Sequence, residues 1–228
     1  MDHILDNPAF NALNTGNKKI AKGNEQAKYF PPAVSPFSGL AENTLHNFKI
    51  LYDIAPNNVV FGFISPTEIE IPKPWKVLQR MAVLQMVCET AARQAEADQQ
   101  IVPLGEEHIP AMLALTKLTN PGPFAQRTID FGHYKGIFDG GKLIAMAGQR
   151  LNPLPYAEVS AVCTHPDYLG RGYAAQLLLN HVHRIKAASG IPFLHVLSSN
   201  LRAINLYKSL GFATRKEISI YLIQKEQV

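Results

Sequence analysis

The sequence predicts a mixed α/β fold, in which helices flank a central sheet. From Ile101 onward, short apolar stretches typical of strands alternate with longer stretches whose apolar residues recur at helical spacing. This alternation is typical of a mixed sheet covered by helices. The chain has 228 residues, of which 46% are hydrophobic and 18% charged, so its composition indicates a globular protein with a sizeable core.

The chain divides into two predicted parts. Residues 1–98 form an N-terminal region of unassigned role, and residues 99–228 form the domain with the regular α/β pattern. The stretch at 89–100, ETAARQAEADQQ, is polar, so we interpret it as the linker between the two parts. Prolines interrupt the first part, which shows no recognisable chemical motif and predicts a smaller α/β unit. Its expected elements are strands over 48–54 and 58–64, joined by a Pro-Asn-Asn turn, and a stretch over 76–89 that fits a helix or a strand.

The second part predicts its elements in a regular order. A helix over 106–118 has acids at its start, where the helix dipole favours them. A hairpin over 133–151 turns at Asp139-Gly140-Gly141. Asn200 is a candidate N-cap, and Gly190 and Gly211 are helix stops. The remaining predictions are strands over 101–104, 156–164, 191–197 and 218–225, and helices over 172–188 and 198–210.

The charge is concentrated near the C-terminus. Residues 156–228 hold 8 Lys and Arg and 4 Asp and Glu, which accounts for the whole net charge of +4 (8 − 4 = 4). No acid occurs between Asp167 and Glu217. This bias fits either an ordinary surface or a local field suited to an anionic ligand. Four charges without a basic run exclude nucleic acid as the expected partner.

Composition also predicts the compartment. The two cysteines, Cys88 and Cys163, cannot form a disulfide framework, so a reducing cytoplasm is expected. The N-terminus lacks the pattern of a signal peptide. No apolar run approaches the roughly 20 residues needed to cross a bilayer, so no membrane association is expected.

The stretch EVSAVCTHPDYLGRGYAA, residues 158–175, joins a strand to a helix through two glycines. The first N–H groups of a helix are unpaired, and with the helix dipole they form an anion site, typically for phosphate. Gly170 and Gly172 would let the backbone approach such an anion, and Arg171 would add charge. The alternative is a tight turn that merely needs glycine.

Two nucleotide-binding patterns do not fit this turn. Residues 170–175 match G-x-G-x-x-G/A, but that fingerprint expects an acid about 20 residues downstream, where this chain has none. Five residues, 165–169, also separate the strand from the first glycine. The Walker A pattern G-x-x-x-x-G-K-[ST] is absent.

Two motifs resemble those of the GNAT superfamily of acyl-CoA-dependent N-acetyltransferases. VCTHPDYLGRGYAAQLLL resembles the pyrophosphate loop Q/R-x-x-G-x-G/A of that family, here from Leu169 to Ala174. PFLHVLSSNLRAINLYKSLGF resembles its Asn-x-x-A-x-x-x-Y-x-x-x-G-F signature, here from Asn200 to Phe212. The resemblance covers residues 101–228 and is nearest to the branch that includes glycine N-acyltransferase C-terminal domains. Leu169 departs from the Gln or Arg that opens the family's first motif.

The resemblance implies a sheet in which the strands 156–164 and 191–197 run parallel and then splay. Acetyl-CoA would be the co-substrate, with its pyrophosphate on the amides of residues 170–174 and its pantetheine beside Val162 and Thr164. The residues implied to bind the coenzyme are Val162, Cys163, Thr164, Leu169, Gly170, Arg171, Gly172, Tyr173, Ala174, Asn200 and Ala203. The N-terminal region would be a degenerate copy of the fold, a lid over the acceptor or a dimerisation element.

Acyl transfer to an amine requires a neutral amine, a donor for the oxyanion and a proton for the departing thiolate. Glu158 is the candidate base, because several GNAT enzymes use a glutamate at this strand position and strand alternation puts it on the face of Val162 and Thr164. The alternative is a solvated or ion-paired carboxylate. Tyr207 is the candidate acid, with a phenol of pKa about 10. The alternative for Tyr207 is a core residue packed on the sheet.

Other reactive residues are not assigned to the chemistry. Alternation puts Cys163 on the strand face opposite Glu158, so we interpret its side chain as a packed thiol. Neither H-E-x-x-H nor C-x-x-C occurs, so the sequence predicts no metal.

The predicted function is that of an N-acetyltransferase. It would move an acetyl group from acetyl-CoA to a primary amine of a small molecule or peptide by direct transfer through a tetrahedral intermediate. The competing prediction is a GNAT-fold protein that binds or senses acyl-CoA without turnover, which Leu169 and the motif-free N-terminal region favour. The acceptor, the acyl length and the oligomeric state, a homodimer included, stay open.

Overall fold

The computed structural model describes residues 3–89 and 100–226, whose strands form a single eleven-stranded sheet with helices on both faces. The strands are β1 (Lys22–Gly23), β2 (Ala27–Tyr29), β3 (Phe37–Leu40), β4 (Val60–Ser65), β5 (Trp75–Val87), β6 (Val102–Pro103), β7 (Lys135–Asp139), β8 (Lys142–Gln149), β9 (Tyr156–Thr164), β10 (Ile191–Leu197) and β11 (Ala213–Lys225). The α-helices are α1 (Pro8–Asn14), α2 (Leu45–Ile54), α3 (Ile109–Thr119), α4 (Tyr173–Ala187) and α5 (Leu201–Ser209). Helices α1 and α3 pack on one face, and α4 and α5 on the other. The predicted α/β class is confirmed.

The centre of the sheet contains a parallel pair that separates. Strand β9 pairs with β10 in parallel from Tyr156 and Ile191 to Glu158 and Phe193. Beyond these residues β10 continues beside β5 as far as Leu197, while β9 follows β8. The backbones therefore diverge and open a gap at the carboxyl ends of both strands. The predicted splayed strands are confirmed.

The N-terminal part of the chain is woven into the same sheet. The strand order is β1-β2-β3-β4-β11-β5-β10-β9-β8-β7-β6, so β5 lies between β10 and β11 and pairs antiparallel with both. Strand β4 pairs with the outer side of β11. The boundary predicted between residues 98 and 99 and most of the predicted linker fall in 90–99, outside the described residues. The strands on either side of that segment nevertheless share one hydrogen-bonded sheet.

Local turn and helix signals are accurate in the second part. Strands β7 and β8 pair from Asp139 and Lys142 across Gly140 and Gly141, which have φ of 53° and 81°. Positive φ at both central residues is the requirement of the predicted tight hairpin. Asn200 caps α5, since its side chain accepts a hydrogen bond from the amide of Ala203 at 3.1 Å.

The prediction of a strand over 48–54 is wrong, because this segment belongs to helix α2. Thr44 caps the helix by accepting a hydrogen bond from the amide of Asn47 at 3.2 Å. Phe48 and Leu51, three residues apart, are the buried apolar residues of one helix face. The ambiguous stretch 76–89 is largely strand β5. As a strand it forms backbone hydrogen bonds with β10 on one side and β11 on the other, and a helix at this place could form neither set.

Strand β9 carries a bulge that changes which side chains share a face. Ser160 pairs with Gly148 and Cys163 with Met146, so two residues of β9 oppose one of β8. Ala161 within the bulge has φ of 53°. As a result Cys163 packs in the same core cluster as Tyr156, whose face Glu158 shares, while Val162 packs with α4 on the opposite face. The prediction that Glu158 shares a strand face with Val162, and that Cys163 lies on the other face, is therefore wrong.

Candidate active site

A cleft of about 920 Å³ opens where β9 and β10 separate. It is bounded by the ends of these strands, the turn before α4, the start of α5 and parts of β4, β5 and β11. All the residues predicted for the coenzyme line it, together with the candidate acid: Val162, Cys163, Thr164, Leu169, Gly170, Arg171, Gly172, Tyr173, Ala174, Asn200, Ala203 and Tyr207. Residues 45 positions apart in sequence thus meet around one cavity.

The glycine turn presents an open cradle of amides at one end of the cleft. Gly170 and Gly172 both have φ of 79°, a conformation that L side chains rarely adopt. No atom lies within 4 Å of a Cβ placed on either residue, so the space above the turn is clear. Helix α4 begins at Tyr173 without a side-chain cap. Its first-turn N–H groups therefore remain available to a ligand.

Within residues 3–89 and 100–226, the Lys, Arg, Asp and Glu side chains that line the cleft are all cationic. Arg150, Arg171 and Arg202 line it, and no Asp or Glu of these residues does. Arg171 lies beside the glycine turn, with its guanidinium 4.9 Å from the centre of the Tyr168 ring. This arrangement favours an anionic ligand, which is one of the two interpretations that the acid-free stretch of sequence left open.

Tyr207 reaches the cleft from α5. Its ring packs near Phe212, with centroids 6.1 Å apart, and its hydroxyl makes no hydrogen bond within the described residues. Burial raises the pKa of Tyr207 to about 12. The phenol is therefore protonated at neutral pH and has a proton to donate.

Glu158 lies beneath the cleft and not in its lining. Its side chain is fully buried. Arg150 donates two hydrogen bonds to it, from Nε to Oε2 at 3.0 Å and from Nη2 to Oε1 at 2.6 Å. The amide of Leu151 donates a third at 3.2 Å, and His195 Nδ1 lies 2.7 Å from Oε1. Burial alone would raise the pKa of Glu158, but Arg150 and His195 outweigh it and lower the pKa to about 2. These contacts favour the ion-paired interpretation over that of a general base.

His195 belongs to a hydrogen-bonded chain that extends into the N-terminal part. Gln85 Nε2 lies 3.0 Å from His195 Nε2 and also donates to the carbonyl of Leu5 at 2.9 Å. Gln85 Oε1 accepts from Arg215 Nε at 2.6 Å, which fixes the orientation of the amide. Gln85 Nε2 thus donates to His195, and the lone pair of His195 Nε2 accepts this hydrogen bond. The hydrogen-bond network therefore assigns the imidazole proton to Nδ1, which donates to Glu158.

Sequence reasoning missed Arg150 and His195. The sequence does contain a signal for each, since a single histidine interrupts the apolar strand IPFLHVL and a single arginine ends the apolar hairpin strand. It also missed the residues of the N-terminal part that close the far end of the cleft. These are Pro36, Phe37, Gly62, Met81 and Val83.

Cys163 is a poor candidate for a nucleophile. It lines the cleft but is 6% exposed, and burial raises the pKa of its thiol to about 11. The thiolate, which is the reactive form, is therefore scarce at neutral pH. Within residues 3–89 and 100–226, no group of three or more His, Cys, Asp and Glu is arranged to hold a metal ion.

Comparison with known proteins identifies several acetyltransferases. The family described as FR47-like protein matches residues 134–220. N-alpha-acetyltransferase RimI of Mycobacterium tuberculosis is 32% identical over 126 residues, which cover 54% of this chain and 72% of that protein. A crystal structure from Novosphingobium aromaticivorans, described as a putative acetyltransferase from the GNAT family, is 33% identical with a TM-score of 0.91 and covers 99% of this chain and 100% of its own. A GCN5-related N-acetyltransferase from Kribbella flavida shares the fold at 12% identity, with a TM-score of 0.63 over 96% of each chain.

Within the described residues, no helix is both long enough and apolar enough to cross a bilayer.

Proposed function

Since this chain belongs to the GNAT superfamily of acetyltransferases, we propose that it transfers an acetyl group from acetyl-CoA to a primary amine by direct attack. The observation that carries the proposal is the cleft between β9 and β10, which is lined by all the residues that the family motifs predicted for the coenzyme. The glycine turn suits a pyrophosphate, because the turn combines unpaired amides, the positive end of α4 and Arg171. The pantetheine arm would then run along β9 beside Val162 and Thr164.

The bulge in β9 supports a site for the oxyanion. An extra residue in a bulge has no partner in the ladder, so the amides at Ala161 and Val162 are candidate donors, and Val162 lines the cleft. A backbone N–H aimed at the developing oxyanion is a common and effective way to stabilise the tetrahedral intermediate. These donors sit next to the position proposed for the thioester.

Tyr207 is proposed as the general acid for the departing thiolate. Tyr207 lines the cleft, its hydroxyl makes no hydrogen bond to another described residue, and its raised pKa keeps it protonated. Arg171 and Arg202 lie on the coenzyme side and have no such proton to give, because arginine is effectively always charged.

We assign Glu158 a positioning role instead of the role of base that its strand position predicts. A carboxylate with a pKa of about 2 and four hydrogen-bond donors around it is a weak proton acceptor. Its contacts instead orient Arg150 and His195 at the base of the cleft. The amine would then react from its neutral fraction, so the rate should rise with pH towards the pKa of the acceptor amine.

The proposal is tested first by calorimetric titration with acetyl-CoA, using desulfo-CoA and NADH as controls. Micromolar binding of acetyl-CoA without binding of NADH is expected. Absence of acetyl-CoA binding would refute the proposed cofactor site, and the transferase proposal would fall with it.

Turnover separates the enzyme from the competing sensor. Tyr207→Phe should keep the affinity for acetyl-CoA and lose turnover if the phenol donates a proton. A protein that binds acetyl-CoA and acetylates none of a broad panel of amines would support the sensor. The nearness to the glycine N-acyltransferase branch stays a prediction, which a panel of longer acyl-CoA donors would test.

A further inference from the structure

We propose that the acceptor is an amino acid with an apolar side chain, whose carboxylate binds Arg150 while its amine faces the thioester. This inference rests on the proposed function, because it assigns the acceptor of that same site. Three features of the cleft carry it: the unused edge of Arg150, an apolar floor supplied largely by the N-terminal part, and the absence of acids from the lining.

Arg150 has N–H groups that are not paired with Glu158 and that lie on the side of the cleft. A guanidinium has five N–H groups, and Glu158 takes two of them, one from Nε and one from Nη2, along the side edge. Nη1 makes no hydrogen bond within the described residues. Glu158 is fully buried, whereas the Arg150 side chain is 10% exposed and lines the cleft. The accessible part is thus the end edge, formed by Nη1 and Nη2, which can hold a second carboxylate with two parallel hydrogen bonds.

The guanidinium is held in place before any acceptor arrives. Its carbon lies 4.7 Å from the centre of the Phe37 ring, and Glu158 fixes its other edge. Phe37 in turn rests on Gly62 of the neighbouring strand, where a Cβ would come within 3.0 Å of the ring. This stack of glycine, ring and guanidinium reduces the ordering needed when a ligand binds.

The floor beside Arg150 is apolar. Met81 pairs with Ile220 across β5 and β11, and Leu222 pairs with Gly62 across β11 and β4, so these residues form one continuous patch on the sheet. Together with Phe37 and Val83 they line the same cleft. An aliphatic or aromatic side chain would bury its surface here at a gain of roughly 25 cal/mol per Å².

The charge of the cleft disfavours cationic acceptors. A polyamine or a lysine-rich peptide carries further ammonium groups that need acidic partners, and no Asp or Glu in the described part of the chain lines the cleft. The carboxylate of Glu158 is fully buried against Arg150, so such groups cannot reach it. An acceptor with one amine and one carboxylate matches both the charge and the donors of the site.

The test measures binding and turnover with the full chain saturated with coenzyme A or acetyl-CoA. The panel is L-leucine, leucinamide as a stand-in for a peptide N-terminus, isopentylamine without a carboxyl group, glycine without a side chain, and spermidine. Leucine should bind at least about tenfold more tightly than each of the other compounds. Leucinamide, isopentylamine and spermidine lack the carboxylate that would pair with Arg150, and glycine lacks the apolar side chain. Equal binding of leucinamide or isopentylamine, preference for spermidine, or no measurable binding of leucine would overturn the inference.

Variants show whether Arg150 is the origin of the preference. Arg150→Met should abolish the discrimination between leucine and leucinamide, and the double variant R150M/E158Q does the same without leaving Glu158 as an unpaired buried charge. Arg202→Met, which removes another arginine of the lining at the coenzyme end, should leave the discrimination intact. Leu222→Ser should reduce the preference for leucine over glycine. If the double variant folds and retains the preference for leucine over leucinamide, the assignment of Arg150 fails.

The outcomes for the acceptor and for the transferase are distinct. Tight binding of leucine without acetylation would support this acceptor site and contradict the proposed reaction. Acetylation of amines regardless of a carboxylate would support the reaction and refute the inference.

Discussion

Replacing Glu158 with glutamine would remove the charge of a buried ion pair while keeping the size and shape of the side chain. The pKa of Glu158 is lowered from 4.5 to about 2, a difference that corresponds to a stabilisation on the order of 3 kcal/mol at neutral pH. The substitution also leaves Arg150 buried without its partner, and breaking a buried pair in this way costs about 3–5 kcal/mol. The expected loss of unfolding free energy at pH 7 is therefore at least about 3 kcal/mol.

The pH dependence identifies the cause of this loss. The pKa is depressed in the folded state, so the stabilisation is complete above the unfolded value of 4.5 and is lost as the pH falls towards 2. From these two values, the contribution at pH 3 should be about 1 kcal/mol, less than half of that at pH 7. Urea unfolding of both proteins between pH 7 and pH 3 measures the difference directly.

A surface pair provides the control. Glu68→Gln removes the partner of Arg80, but the Glu68 side chain is 71% exposed, and such pairs contribute about 0–1 kcal/mol. A difference between wild type and Glu158→Gln that stays constant from pH 7 to pH 3 would refute the ion-pair reasoning. A loss no larger than that of Glu68→Gln would refute it as well.

Three further predictions concern the cleft. Gly172→Ala and Gly140→Ala both place a side chain on a residue with positive φ, so each should cost about 1–2 kcal/mol in urea unfolding, but only Gly172→Ala should weaken acetyl-CoA binding in calorimetry; equal affinities would argue against the glycine cradle. Tyr207→Phe should lower kcat about a hundredfold or more with an unchanged dissociation constant for acetyl-CoA, measured by thiol release. Asn200→Ala should lower the unfolding free energy by about 1 kcal/mol, because the amide of Ala203 loses its cap; no loss would show that the cap contributes little.

The elements that the sequence predicts well depend on interactions between near neighbours. The hairpin at Gly140 and Gly141, the cap at Asn200 and the turn through Gly170 and Gly172 each follow from the conformational preference of one or two residues. The splayed pair of strands was expected from the resemblance of the two motifs to those of the GNAT superfamily, and not from local preferences.

Other features follow from pairings between distant residues. The insertion of β5 between β10 and β11 joins segments more than a hundred residues apart, and no local pattern encodes that choice of neighbours. The segment 48–54 has apolar residues that fit either element, and its cap at Thr44 together with tertiary packing makes it a helix.

The sequence by itself thus determined the glycine turn and the helix cap at the end of the cleft proposed for the coenzyme, because both are local and their spacing survives in any tertiary arrangement. Only the tertiary structure decided the end of the cleft proposed for the acceptor. One bulge at Ala161 reverses the facing of the residues beyond it, so alternation counted along β9 misplaces Cys163 relative to Glu158. The ion pair of Glu158 with Arg150 and the floor from the N-terminal part exist only once the strands are paired, because the pKa and the role of a carboxylate depend on what surrounds it in space.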